Sequence, residues 1–244
     1  MKTLVLLLSL LLSTLLNAQD MEGAWKLTHE DGKEVNDRVV IKIYQDGYFA
    51  FISKEAETNE FLAAGGGEFF LDNGYSEVYD FHTEDSTLVG QEVTFTGYHR
   101  YDGLVLQEIA GGPEKTWKRI STDKDDLSGN WVITGRQRNG ELQRSTPGAR
   151  RTIKILSGDR FQWAAFNSDT GEFYGSGGGT YSAEDGKYTE NIEFFSRDNS
   201  RVGAELQFDY KIEDGEWHHS GKSSKGEPLY EIWTPYREFY KRDD

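Results

Sequence analysis

The chain contains no cysteine and has only four prolines and two methionines among its 244 residues. Without cysteine it forms neither disulfides nor thiolate active sites, and no lipid can be attached at a cysteine. Basic residues are also scarce, with 27 against 42 acidic ones, which gives a net charge of -15. A surface of this charge repels nucleic acid and anionic membranes, so neither is an expected partner.

Long apolar runs are missing except at the N-terminus, where residues 4–16 are largely apolar and follow Lys2. A positive start, a short apolar stretch and a small residue before a polar one are typical of a secretory signal peptide, and this stretch is too short to span a bilayer easily. We expect residues 1–18 to be a signal peptide cleaved after Ala18, and an exported, soluble protein with no membrane span. An N-terminal membrane anchor is the alternative.

The rest of the chain is an internal repeat. Three segments recur in the same order: Phe49-Ala-Phe51, Gly65-Gly-Gly67 and Tyr75-Ser-Glu77 match Phe161-Gln-Trp163, Gly177-Gly-Gly179 and Tyr188-Thr-Glu190. The repeat predicts two domains of roughly 100 residues, at 21–120 and 127–236. A polar linker at 121–126 is expected to let them pack end to side, and a charged tail at 237–244 is expected to be frayed.

Alternating apolar and polar residues predict eight short strands in each copy. The predicted strands are 23–28, 38–44, 47–54, 61–71, 75–82, 91–100, 103–109 and 115–120, then 130–137, 150–156, 160–167, 172–182, 187–196, 203–212, 216–222 and 229–235. No segment has a capped helical pattern. Because a closed sheet has no exposed edges, we predict an all-β fold of two tandem eight-stranded up-and-down antiparallel barrels. A β-sandwich is the alternative.

Several motifs resemble those of lipocalin-like (calycin) proteins, and more closely the secreted lipocalin-like domains of unknown function in Gram-negative bacteria. They are Gly23-Ala-Trp25, Gly129-Asn-Trp131, Gly177-Gly-Gly-Thr-Tyr181, Gly186-Lys-Tyr-Thr-Glu190, Asp214-Gly-Glu-Trp217 and Glu231-Ile-Trp233. The resemblance covers nearly all of the second copy and most of the first. It implies lipocalin-like barrels that bind a small apolar or amphipathic molecule in the barrel mouth.

The first copy departs from this pattern at its end, where Glu114-Lys-Thr-Trp117 has one more residue between glutamate and tryptophan than Glu231-Ile-Trp233. Because strand faces alternate with period two, the extra residue turns the glutamate to the other face. The second barrel is therefore the better candidate for the pocket.

The strand face that carries the Tyr-x-Glu pair is the candidate ligand site. In the second copy Tyr188, Glu190, Ile192 and Phe194 are expected to share it. An inward carboxylate must find hydrogen-bond donors or take a raised pKa. It would anchor a ligand or pair structurally with an arginine or tyrosine; a glutamate on the outer face is the third alternative. The predicted ligand-binding residues are Trp163, Tyr188, Glu190, Phe194, Trp217, His219, Glu231 and Trp233, with Phe51, Tyr75, Glu77 and Phe81 in the first barrel.

The sequence gives little support for phosphate binding, metal binding or catalysis. The glycine triplets lack the lysine and helix of a phosphate loop and predict bulges or barrel bends. The five histidines lack metal-ligand spacing, so no metal and no cofactor is predicted, although one histidine could still ligate haem. There is no Gly-x-Ser-x-Gly motif. Ligand binding is therefore the favoured function, and a protein-interaction module with filled barrels is the alternative. An enzyme that uses an interior glutamate, with Glu190 and Glu231 as a carboxylate pair, is the third hypothesis.

A local basic patch stands out in this acidic chain, around the loop that joins the first two strands of the second copy. It consists of Arg136, Arg138, Arg144, Arg150 and Arg151. Three hypotheses are open: the patch steers an anionic ligand, docks the acidic first domain, or forms scattered surface ion pairs.

Overall fold

The computed structural model describes residues 21–71, 74–100, 103–223 and 226–240. The predicted signal peptide and the last four residues of the predicted tail lie outside these ranges. The described chain forms two closed antiparallel β-barrels in tandem. This confirms the predicted fold class and excludes the sandwich.

Barrel 1 is an up-and-down barrel of eight strands with one short additional strand. Its strands are β1 (Gly23–Glu30), β2 (Lys33–Glu34), β3 (Arg38–Gln45), β4 (Tyr48–Glu55), β5 (Phe61–Phe70), β6 (Tyr75–His82), β7 (Glu92–Arg100), β8 (Gly103–Glu108) and β9 (Lys115–Ser121). Strand β9 pairs with β1 and closes the barrel. The two-residue β2 extends the end of β1 as a hairpin.

Barrel 2 repeats this arrangement. Its strands are β10 (Gly129–Arg138), β11 (Glu141–Arg144), β12 (Arg150–Ser157), β13 (Arg160–Asn167), β14 (Glu172–Glu184), β15 (Lys187–Phe195), β16 (Glu205–Glu213), β17 (Glu216–Lys222) and β18 (Pro228–Pro235). Strand β18 closes on β10. The sequence missed β2 and β11 because both are short and fully exposed, so they carry no alternating burial pattern.

The Gly-x-Trp motifs close one end of each barrel, which we call the floor. The Trp25 indole donates to the Met21 carbonyl at 2.9 Å, and the Trp131 indole donates to the Leu127 carbonyl at the same distance. Met21 and Leu127 are fully buried. A Cβ on Gly23 would lie 2.5 Å from the Ser121 carbonyl oxygen, so only glycine fits where the chain closes on itself.

Each glycine triplet faces a β-bulge on the neighbouring strand. Pairing shifts by one residue between Gly66 and Gly67 opposite β6, and between Gly178 and Gly179 opposite β15. A Cβ on Gly179 would lie 2.0 Å from the Asn191 carbonyl oxygen. The predicted bulges are thereby confirmed.

The bulges correct the predicted faces of two aromatic residues. The extra residue interrupts the alternation, so Phe81 and Phe194 turn out of the barrels and join the cluster between them. The interior positions fall instead to His82, whose ring lies 5.6 Å from Phe51, and to Phe195. The prediction that Phe81 and Phe194 share a face with the interior glutamates is wrong.

The barrels pack side by side through the outer faces of β3–β6 and β12–β15. An apolar cluster spans both: Ile41, Ile43, Tyr48, Ala50, Ile52, Ala64 and Phe81 meet Val132, Ile153, Ile155, Ala164, Phe166, Phe194 and Tyr236. Phe81 stacks on Phe166 with ring centroids 4.8 Å apart. The expected end-to-side packing is therefore wrong, because the central strands are apolar on both faces and one face must be covered from outside.

A buried polar cluster fastens the same interface. Arg151 of β12 pairs with Asp80 of β6 at 2.8 Å, and Asp80 also accepts hydrogen bonds from the hydroxyls of Tyr48 (2.9 Å) and Tyr236 (2.8 Å). The start of the predicted tail packs here as well, because Tyr240 stacks on Tyr236 at 4.4 Å. The expectation of a frayed tail therefore fails for residues 237–240.

Candidate functional site

Barrel 2 encloses a cavity of about 640 Å³ that opens at the end opposite the floor. Its walls carry the aromatic rings of Trp163, Phe195, Phe208 and Trp233. Several polar side chains reach the same space, and those that are almost fully buried are Lys154, Glu190, His219 and Glu231. The cavity therefore combines flat apolar walls with a small set of convergent polar groups, as ligand sites commonly do.

Two cross-strand pairs on β17 and β18 build the lower part of the cavity in layers. Trp217 lies opposite Trp233, and His219 lies opposite Glu231. Since residues two apart on a strand share a face, the tryptophan pair forms the layer nearer the floor and the His219–Glu231 pair the layer above it. Tyr188 packs edge-on against Trp217 with ring centroids 5.2 Å apart.

A buried ion pair crosses the barrel at this level. Lys154 Nζ of β12 donates to Glu190 Oε1 of β15 at 2.7 Å, and both side chains are almost fully buried. The ammonium lies 5.1 to 5.3 Å from the ring centroids of Tyr188, Trp217 and Trp233. Cation–π attraction to these faces adds to the ion pair and offsets part of the cost of burying the charge.

Glu231 is held as an ionised carboxylate. Burial acts to raise its pKa, but His219, Arg136 and Lys154 outweigh this effect and lower the pKa to about 2. Arg136 Nη2 lies 2.5 Å from Glu231 Oε1, and the Trp233 indole donates to Oε2 at 3.2 Å. Both oxygens are thus engaged by the protein.

His219 is a buried polar side chain of the cavity lining that has no hydrogen-bond partner among the described residues. It is 2% exposed, and neither ring nitrogen has a hydrogen-bond partner among the described residues. Burial lowers its pKa, against the opposing pull of Glu231, so the ring is neutral near pH 7. A buried polar group usually has a hydrogen-bond partner. Because His219 lines the cavity, a molecule bound there would be in position to supply that partner.

Barrel 1 has the same ion pair in a closed setting. Glu77 is fully buried and pairs with Lys42, while the hydroxyls of Tyr75 and Tyr79 also donate to it, the latter at 2.8 Å. Burial first, then the charge of Glu77, raises the pKa of both tyrosines well above its ordinary value. The inward orientation predicted for Glu77 and Glu190 is therefore found in both barrels.

Four of the equivalent interior positions at which the two barrels differ surround the glutamate and the polar pair of barrel 2. The cavity of barrel 2 has Ile192, Trp217, His219 and Glu231 where barrel 1 has Tyr79, Leu104, Leu106 and Lys115. The extra residue between Glu114 and Trp117 explains why Lys115 lies at the position of Glu231. Glu114 itself precedes β9. The interior of barrel 1 therefore lacks the equivalents of His219 and Glu231, and its glutamate, Glu77, has a third hydrogen-bond donor in Tyr79.

Most of the predicted ligand residues of barrel 2 lie together. Trp163, Glu190, His219, Glu231 and Trp233 line the cavity, and Tyr188 and Trp217 lie beneath it. In barrel 1, Tyr75 and Glu77 are in contact, and Phe51 packs on His82. Phe81 and Phe194 belong to the interface instead.

Sequence reasoning missed Lys154, Phe195 and Phe208. The available signal for Lys154 was its repetition: Ile-Lys-Ile occurs at 41–43 and at 153–155, which places a lysine within an apolar strand of each copy. A charged residue at an alternating position of a buried strand implies an interior partner.

The arginines of the basic patch serve different partners. Arg151 docks barrel 1 through Asp80, as one hypothesis stated. Arg136 reaches the cavity through Glu231, Arg144 pairs with Glu216 at 2.5 Å, and Arg150 lies over the Tyr174 ring at 4.5 Å. The patch therefore does not act as one cationic surface.

Within the four described ranges, no helix is long and apolar enough to cross a membrane. In the same part of the chain, no three histidine, aspartate or glutamate side chains gather as a metal site. Compared with protein families and with curated proteins, the sequence has no match in either comparison.

Proposed function

We propose that this is an exported lipocalin-like protein that binds a small aromatic or amphipathic molecule in the cavity of barrel 2. The observation that carries the proposal is the open, aromatic-walled cavity with the unpartnered His219 beside it. Its volume lies within the roughly 300–1,000 Å³ typical of small-molecule sites. The motif resemblance to secreted lipocalin-like domains and the N-terminal sequence support the same proposal.

The two competing functions have less support. An interaction module with filled barrels would leave no space of this size inside barrel 2. An enzyme that used Glu231 as a general acid would need a raised carboxyl pKa, whereas that pKa is lowered to about 2. Ligand binding requires neither a filled interior nor a proton donor.

A fluorescence titration with N-phenyl-1-naphthylamine tests the proposal, because this neutral dye brightens in apolar sites. We expect saturable binding of one dye per chain. Ala165 lines the cavity, so Ala165→Phe should weaken binding at least tenfold by filling the space. Gln143→Phe, which adds a phenyl ring on the exposed β11, is the matched control. Equal affinities of the wild type and Ala165→Phe would overturn the proposal.

A further inference from the structure

The barrel 2 cavity offers a newly bound molecule hydrogen-bond acceptors that the described residues leave incompletely used. We propose that its ligand is an aromatic amine or phenol whose N–H or O–H group binds at Glu190 and His219, and that aromatic anions are disfavoured. This inference rests on the proposed function and specifies the ligand chemistry of the same cavity.

The first acceptor is the Glu190 carboxylate. Its counterpart Glu77 accepts from three donors, but in barrel 2 Ile192 replaces Tyr79 and removes one of them. The Tyr188 hydroxyl is buried near Glu190, but it makes no well-aligned hydrogen bond with any described residue. Among the described residues, Lys154 therefore makes the one well-aligned hydrogen bond to Glu190, at 2.7 Å. An ionised carboxylate has about four acceptor sites, so capacity remains on the side that lines the cavity.

The second acceptor is His219 Nε2. The other ring nitrogen, Nδ1, lies 3.5 Å from Glu231 Oε2, which is an ionised acceptor. A neutral imidazole carries one proton, and the nearby carboxylate favours placing it on Nδ1. Nε2 is then an acceptor, and it has no partner among the described residues. An N–H or O–H group on a ligand would complete it.

The cations of the cavity are already neutralised. Lys154 pairs with Glu190, Arg136 with Glu231, and Arg201 with Asp198, at 2.7, 2.5 and 3.3 Å. All six residues line the cavity, so the charges of its lining balance. An anionic group would add a net negative charge to a lining whose charges balance, whereas a neutral donor completes acceptors without adding charge.

Three probes that share one aromatic framework test this recognition, and the affinity of each is measured by titration. N-phenyl-1-naphthylamine carries one N–H, 1-phenoxynaphthalene has an ether oxygen in its place, and 8-anilino-1-naphthalenesulfonate keeps the amine and adds an anion. We expect the amine to bind roughly tenfold more tightly than the ether and more tightly than the sulfonate. Equal affinities for amine and ether, or tighter binding of the sulfonate, would overturn the inference and leave the proposed function standing. No binding of any probe would overturn the proposed function itself.

Two variants in barrel 2 test which side chains produce the preference for the amine over the ether. His219→Phe keeps a ring of similar size without the acceptor and should reduce the amine-to-ether preference to near one, with little change in ether affinity. Ile192→Tyr restores the donor that Tyr79 supplies in barrel 1 and should weaken amine binding at least tenfold. Tyr79→Phe in barrel 1 is the control and should leave all three affinities unchanged. An amine preference retained in both barrel 2 variants would contradict the assignment.

Discussion

Gln45 and Ser157 occupy equivalent positions at the ends of β3 and β12, and Ser157 Oγ lies 2.8 Å from Gln45 Oε1, within hydrogen-bond distance. Contact between equivalent residues indicates a local two-fold relationship, as at the interface of a symmetric dimer. Phe61 and Phe173 are also equivalent, and their rings are stacked 6.2 Å apart. The duplicated chain therefore resembles a homodimer joined in one polypeptide, with outer barrel faces used for assembly and the interiors left to diverge.

The interface should contribute strongly to stability. Phe81→Ala removes a fully buried ring that stacks on Phe166, and we expect it to lower the free energy of unfolding by about 3–5 kcal/mol. Phe239→Ala, at a partly exposed ring, is the control and should cost less than about 1 kcal/mol. Urea denaturation measures both. A loss from Phe81→Ala no larger than the control would contradict the packing described.

The bulge at Gly179 should reject any side chain. Gly179→Ala places a Cβ against the Asn191 carbonyl oxygen, and we expect a loss of about 3 kcal/mol in the free energy of unfolding. Gly148→Ala is the matched control, since a Cβ there meets nothing within 4 Å. Thermal unfolding distinguishes the two. If both glycines tolerate alanine equally, the bulge geometry is wrong.

Lys154 and Glu190 form a buried ion pair, so their contributions to the free energy of unfolding should be coupled. Lys154→Met leaves the Glu190 carboxylate buried without its cation and should destabilise the protein by about 3–5 kcal/mol. Adding Glu190→Leu removes the orphaned charge, so the double variant should recover part of the loss. A double-mutant cycle measured in urea gives the coupling energy. Strictly additive losses would show that the two groups act independently.

Acid should weaken barrel 2 through Glu231. Its folded-state pKa of about 2 lies below the ordinary 4.5, so the carboxylate stabilises the fold above pH 4.5 and that contribution is lost as the pH falls towards 2. Between pH 6 and pH 3 the loss amounts to about 2 kcal/mol. Glu231→Gln should therefore lose that much less stability than the wild type over this interval. Glu141→Gln, at an exposed glutamate, is the control, and a variant with the wild-type pH dependence would contradict this role of Glu231.

The sequence predicted the strands and the closure of the barrels because alternation and turn residues are local signals. It placed Glu77 and Glu190 inside because both lie on strand faces with aromatic residues. It failed at Phe194 because a bulge depends on the partner strand: the extra residue of β15 lies opposite the step from Gly178 to Gly179, and the alternation of β15 alone does not locate that step. It failed on the packing of the barrels because Ile41 and Ile153, on the outer faces, have the same hydrophobic character as the core.

The indole N–H signals of the six tryptophans give the most direct measurement of the central claim, that barrel 2 holds the ligand. Two-dimensional NMR spectra recorded during a titration with N-phenyl-1-naphthylamine, with signals assigned by single Trp→Phe variants, resolve the barrels separately. We predict that the signals of Trp163 and Trp233 shift as the dye saturates, while those of Trp25 and Trp117 in barrel 1 stay in place. Shifts of Trp25 and Trp117 with Trp163 and Trp233 unmoved would contradict the claim.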